Sequence, residues 1–172
     1  MSQFVRREFF FGLFLMLSGA IGLMAAMALS VEKIEKLTNP DTGPSCDFSV
    51  LVQCSANLDS AQGAAFGVPN PFLGLVGFAL VLCVGVALWA VPHFARWFWV
   101  LFNFGVAGAF GFVVWLIGQS IYVLGTLCPW CLVVWLTTIP LFFFGTVRNL
   151  REGVFGRRAR RVGALLWPWM TL

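Results

Sequence analysis

Apolar and polar positions fall into long blocks along this chain rather than short alternations. Phe9 to Val31 carries no charge and is bracketed by Arg6, Arg7 and Glu8 before it and by Glu32 and Lys33 after it. A second apolar block follows Pro69-Asn70-Pro71 and runs to Val91, where Pro92, His93 and Arg96 make a short polar break. From Trp97 to Val147 there is no charged residue, a stretch of about 51 residues or roughly 75 Å as continuous helix. One crossing of the hydrocarbon needs about 20 apolar residues, so this stretch must hold two. The turn between them is expected within residues 122–127, just ahead of Pro129, because proline is tolerated in the first turn of a helix. The pattern predicts four membrane helices over 9–31, 71–91, 97–122 and 128–147, with a loop over 32–70 and a tail over 148–172.

Composition agrees with this reading. The chain is 172 residues long, 60% hydrophobic and only 10% charged, and its mean hydropathy is +0.90. A soluble domain carries roughly 25% charged residues, and a small water-soluble core has no room for so much apolar sequence. The expected class is an all-α polytopic membrane protein, a single integral domain over 1–172. A cleaved signal peptide is the rival for the first block, but its apolar run exceeds the 7–15 residues of a typical signal core.

Charge sets the orientation. With four spans, the N-terminus, the short break and the tail share one side. That side holds Arg6, Arg7, Arg96, Arg148, Arg151, Arg157, Arg158, Arg160 and Arg161. The other side has only Lys33 and Lys36, beside Glu32, Glu35, Asp41, Asp47 and Asp59. The positive-inside rule therefore predicts both termini cytoplasmic and the 32–70 loop extracytoplasmic, and the expected location of this multi-pass chain is the cell (inner or plasma) membrane. The arginines at 148–161 follow a span directly, so topology and anionic lipid explain them better than nucleic acid does. Residues 164–172 are apolar but only half a span long, which leaves an interfacial tail or a partial fifth helix.

The chemistry rests on five cysteines. Cys46 and Cys54 lie in the outer loop with seven residues between them, and Cys128-Pro129-Trp130-Cys131 opens the fourth span. Cys83 sits mid-span among aliphatic residues, where a thiol packs as a small hydrophobe. The C-x-x-C pair places two thiols about one turn apart at a helix start, where they can form a disulfide. Unpaired N–H groups and the positive end of the helix dipole favour a thiolate there.

Zinc is disfavoured by the seven-residue spacing and by the only histidine, His93, lying on the opposite side. Covalent haem attachment would need histidine where Leu132 stands. Two structural disulfides in a non-catalytic tetraspan protein remain an alternative, but they give no reason for a C-x-x-C at the lipid boundary. With no charge inside any span, an ion pathway is unsupported.

The order of these features resembles the vitamin K epoxide reductase family in its bacterial form. The features are a first helix, an outer loop with Cys46 and Cys54, Ser60 six residues further on, Asn70 within Pro-Asn-Pro, and Cys128 and Cys131 at the fourth helix. The stretch FGVPNPFLGLVGF is also similar to that branch. The DsbB oxidases carry the two cysteine pairs in the reverse order.

The resemblance implies a four-helix bundle around a quinone pocket, with a menaquinone, ubiquinone or vitamin K-type quinone as cofactor and no metal. It implies that Cys46 and Cys54 form a pair that takes electrons from a thioredoxin-like (DsbA-type) partner, and that Cys54 reduces Cys128. Cys131 would exchange electrons with the quinone, Asn70 would donate a hydrogen bond to a quinone carbonyl, and Ser60 would lie over the pocket. Trp135 stands where animal members carry tyrosine, a departure that bears on the quinone contacts. Some bacterial relatives carry a fused thioredoxin-like domain. This sequence stops before one, so a separate partner protein is expected. The implied activity is thiol-disulfide oxidoreduction supporting disulfide formation in exported proteins, with vitamin K quinone or epoxide recycling as the alternative.

Overall fold

The structure, a computed structural model, describes residues 3–39, 43, 45–91 and 94–170. Asp41, the Pro92-His93 part of the polar break and the last two residues of the tail lie outside the described residues. The described chain is α-helical. It comprises α1 (Gln3–Thr38), α2 (Ser55–Asp59), α3 (Asn70–Ala90), α4 (Arg96–Gly118), α5 (Pro129–Arg151) and α6 (Arg157–Met170). A 3₁₀ turn covers Ala61–Ala64, and a wider π-type stretch carries α4 on through Gln119–Leu124. Among the described residues, four helices are long and apolar enough to cross a membrane: Arg7–Thr38, Asn70–Ala90, Arg96–Leu124 and Pro129–Arg151.

The helix ends differ from the apolar blocks for identifiable reasons. α1 runs past Val31 to Thr38 because Glu32, Lys33, Glu35 and Lys36 are good helix formers, and Glu32, Lys33 and Lys36 find partners in the loop. α4 passes Tyr122 and stops at Gly125, whose φ of +64° is the left-handed cap that glycine supplies most cheaply. α5 starts at Pro129, which has no N–H to waste in the first turn.

The α1–α3 interface is the most extensive between the helices. Small residues permit it: a Cβ on Gly19 would lie 2.7 Å from the backbone N of Leu82, and one on Gly85 would lie 2.7 Å from that of Met16. Such close approach is how membrane helices gain packing when lipid is as apolar as the partner helix. α5 packs against both α1 and α4, whereas α3 and α4 scarcely touch, so the bundle is open between them.

Toward the end away from the cysteines, some polar side chains pack inside the bundle. Glu8 and Arg148 form a buried ion pair at 2.6 Å, and the Arg148 guanidinium lies 3.9 Å from the ring centre of Trp99 and 4.8 Å from that of Phe11. Asn149 is buried beside them and donates to Asn103 Oδ1 at 3.0 Å.

Candidate active site

A single parallel β-bridge joins the two cysteine-bearing segments. Val52 pairs with Leu127. The Gln53 N–H donates to the Leu127 carbonyl at 3.0 Å, and the Leu127 N–H donates to the Leu51 carbonyl at 2.9 Å. Cys54 and Cys128 are the next residues after Gln53 and Leu127, so the bridge brings them side by side. Their sulfurs lie 3.2 Å apart. Cys46 and Cys54 are joined in a disulfide, while Cys128 and Cys131 are free thiols.

Both segments are held from several directions. Asp47 accepts the Cys54 N–H at 2.6 Å and the Ser55 N–H at 3.1 Å, capping α2 at its start. Burial opposes ionisation of this carboxyl, but bonds from the Ser55 hydroxyl and amide, the Cys54 amide and the charge of Lys36 hold it below its ordinary value. The extension of α1 grips the same loop. Lys33 donates to the Leu58 carbonyl at 2.7 Å and lies 3.5 Å from Asp59, which Lys36 also pairs with. Glu32 accepts from the Ser45 N–H at 3.1 Å, next to Cys46. On the other segment, the Thr126 N–H donates to the Ser120 carbonyl at 3.2 Å, and the Ser120 hydroxyl returns a bond to the Thr126 carbonyl.

Cys128 sits at the N-cap of α5, where its sulfur accepts the Cys131 N–H at 3.4 Å. The hydrogen bond from the Cys131 thiol is the largest influence on it. Together with the backbone N–H groups of Cys131 and Trp130, that bond holds the Cys128 thiol below its ordinary value, against burial and the Asp47 charge. Cys46, Cys54 and Cys128 are buried with Leu29 and Leu58, and Trp130 and Cys131 pack against this group. The sulfurs are therefore screened from water while touching each other.

Ser60 and Asn70 are in the loop's own scaffold. The Ser60 hydroxyl donates to the Asn57 carbonyl at 2.8 Å and accepts the Gly63 N–H at 3.0 Å, capping the 3₁₀ turn. Asn70 opens α3, donating to the Gln62 carbonyl at 2.6 Å and accepting the Ala65 N–H at 3.3 Å. Gln62 in turn donates to Gln119 at 3.2 Å, tying the loop to the end of α4. Trp135 is buried one turn beyond Cys131 on α5. Cys83 is exposed on α3, apart from the other four.

Asp47, Glu32, Lys33, Lys36 and the Val52–Leu127 bridge were not singled out from sequence. The acidic residue next to Cys46 is a visible signal, but its partners lie seven and eight residues away across an irregular loop. The bridge joins segments with no strand pattern.

The model of the vitamin K epoxide reductase family matches residues 13–146, which span all five cysteines. The chain belongs to this family. Among curated proteins, none matches the chain. Family membership makes it a membrane oxidoreductase that acts on thiols and uses a quinone. The residues present suit such a group. Phe66 of the loop reaches across to Phe112 of α4 with ring centres 5.4 Å apart, Phe112 stacks on Trp115 at 5.8 Å, and Phe66 and Trp115 remain exposed. Exposed aromatic faces near a few polar groups are what a flat quinone ring can stack on.

Proposed function

We propose that the protein relays electrons from the dithiol of a separate thioredoxin-like (DsbA-type) partner, through Cys46/Cys54 and then Cys128/Cys131, to a membrane quinone. It thereby supports disulfide formation in exported proteins. It acts as one integral domain of the cell membrane, with both termini cytoplasmic and the cysteine loop outside. The observation that carries this reading is the 3.2 Å approach of the Cys54 and Cys128 sulfurs, one in a disulfide and the other a thiol.

Each internal step is attack of a thiolate on a disulfide sulfur. A partner thiolate attacks Cys46, and its second thiol completes the exchange, leaving Cys46 and Cys54 reduced. The Cys54 thiolate attacks Cys128 in a Cys128–Cys131 disulfide, forming a Cys54–Cys128 bond and releasing Cys131 as thiolate. Cys46 then attacks Cys54, restores Cys46–Cys54 and releases Cys128. Two electrons have then moved inward. The arrangement of one loop disulfide and two free thiols corresponds to this end point.

The N–H groups at the start of α5 and the Cys131 thiol favour Cys128 as the leaving thiolate. Cys131 faces the acceptor, and Asn70 has a second amide hydrogen beyond the one given to Gln62 with which to orient a carbonyl. A quinone held there would supply a two-electron, two-proton sink for the Cys128 and Cys131 thiols. Trp135 and Ser60 shape the pocket indirectly, one from the α5 core and one by holding the loop turn.

Quinone reduction by purified protein, driven by a reduced thioredoxin-like protein, tests the reading. Loss on replacing Cys128 or Cys131, with Cys46 and Cys54 required for the protein reductant but less so for small thiols, is the expected pattern. Turnover indifferent to all four replacements would leave the cysteines structural.

A further inference from the structure

The end of the bundle away from the cysteines carries a second built feature. After α5, two glycines with positive φ, Gly153 at +73° and Gly156 at +103°, turn the chain back so that α6 packs on the end of α5. The turn is pinned by the Arg96 side chain, which donates to the Val154 carbonyl at 2.6 Å. The packing is tight: a Cβ on Gly163 would lie 2.7 Å from the backbone N of Arg151. Between the two elements lies an open groove of about 560 Å³ lined by Arg151, Arg157, Arg160 and Arg161. That is many times the roughly 30 Å³ a water occupies in the liquid.

The arginines of this region divide into two groups. Arg148 is matched by Glu8, and Arg7 lies 3.8 Å from Glu152. Among the described residues, no carboxylate lies within ion-pair distance of Arg157, Arg160 or Arg161. Three guanidinium groups on one side of a short helix repel each other unless an anion joins them. The groove also begins where a membrane-spanning helix ends, and α6 exposes Val162, the next residue after Arg161, and Leu165, one turn beyond Arg161. An anionic head for the arginines and an apolar body for these side chains describe one ligand.

We propose that this groove binds the phosphate headgroup of an anionic phospholipid, with the acyl chains running along the exposed apolar residues of α6. Guanidinium groups bind phosphate oxygens through paired N–H donors, and basic pockets at a membrane boundary suit such headgroups. The site is independent of the redox relay, so its test needs no activity measurement.

The purified full-length protein in neutral-detergent micelles is titrated with fluorescent phosphatidylglycerol, with phosphatidylcholine of the same chains as comparison. Arg160→Gln removes a groove arginine, and Arg158→Gln removes an equal charge from the same turn without touching the groove. The expected result is preference for phosphatidylglycerol, a loss of affinity in Arg160→Gln at least several-fold larger than in Arg158→Gln, and no displacement by inorganic phosphate. Equal losses in the two variants would overturn the proposal, because diffuse charge attraction would then suffice. Displacement by inorganic phosphate at matched concentration would overturn the lipid assignment. Should Arg160→Gln fail to purify folded, Arg157→Gln and Arg161→Gln carry the same comparison.

Discussion

At the cysteine end, polar groups hold a loop against helix ends through single hydrogen bonds and exposed ion pairs, such as Asp47 on Cys54 and Lys36 on Asp59. Toward the opposite end, one ion pair is set inside the bundle, with Glu8 and Arg148 together against Trp99 and Phe11. The first arrangement leaves segments able to shift as disulfides are exchanged, since contacts at a surface open at low cost. The second is a fixed staple, because separating a buried pair strands a charge. One bundle therefore combines an end suited to chemistry with an end suited to holding α1 and α5 in register.

Replacing Cys128 with alanine is the strongest way to separate the two ends. Quinone reduction should fall roughly a thousandfold or more, as for the loss of a covalent nucleophile, while thermal melting in detergent shifts little. Glu8→Ala should do the converse. Melting should reveal a loss of about 3 kcal/mol, with turnover per folded molecule unchanged. If Glu8→Ala slowed turnover without destabilising, the ends would not be independent.

A smaller effect sits in the loop. Asp47→Ala removes the cap on α2 and should cost about 1 kcal/mol, together with slower transfer from Cys54 to Cys128. Its carboxyl titrates lower in the folded protein than in the unfolded chain. Its contribution is therefore complete above pH about 4, the ordinary carboxylate range, and is lost as pH falls below that. Acid titration of melting temperature, compared between wild type and Asp47→Ala, should show the two curves converging only at the acid end.

Alkylation of reduced protein should sharpen the chemistry of the cysteine end. Cys128 should react with a pH midpoint below that of the same thiol in an unfolded peptide, the direction set by the Cys131 thiol and the N–H groups at the start of α5. A midpoint at or above that value would remove the helix-start argument. The smallest effect is Cys83→Ala, which should leave both turnover and melting unchanged, since Cys83 lies exposed on α3 away from the sulfur cluster.

Much of this was legible in the sequence because lipid and sulfur leave strong signatures. An uncharged block such as 97–147 admits few folds, and the C-x-x-C at 128–131 within it marks a helix start. What escaped depends on pairs far apart in the chain. The charges at 32–36 marked the end of a span, but nothing local revealed that α1 continues as a post for the loop. Arg148 counted only as an inside charge, although it reaches Glu8 across the bundle. The Val52–Leu127 bridge has no periodicity to betray it, yet it sets the distance between the two cysteine pairs. The tail, legible only as half a span, is a helix folded back on α5 through two glycine turns.

The relay stands on direct contact between Cys54 and Cys128, and trapping tests it most directly. In a Cys46→Ala/Cys131→Ala variant neither sulfur has its usual partner, so mild oxidation should yield a Cys54–Cys128 disulfide. Peptide mass mapping should find it in most molecules, at a protein concentration where intermolecular bonds are negligible. Cys54 and Cys128 remaining free thiols under those conditions would contradict the relay.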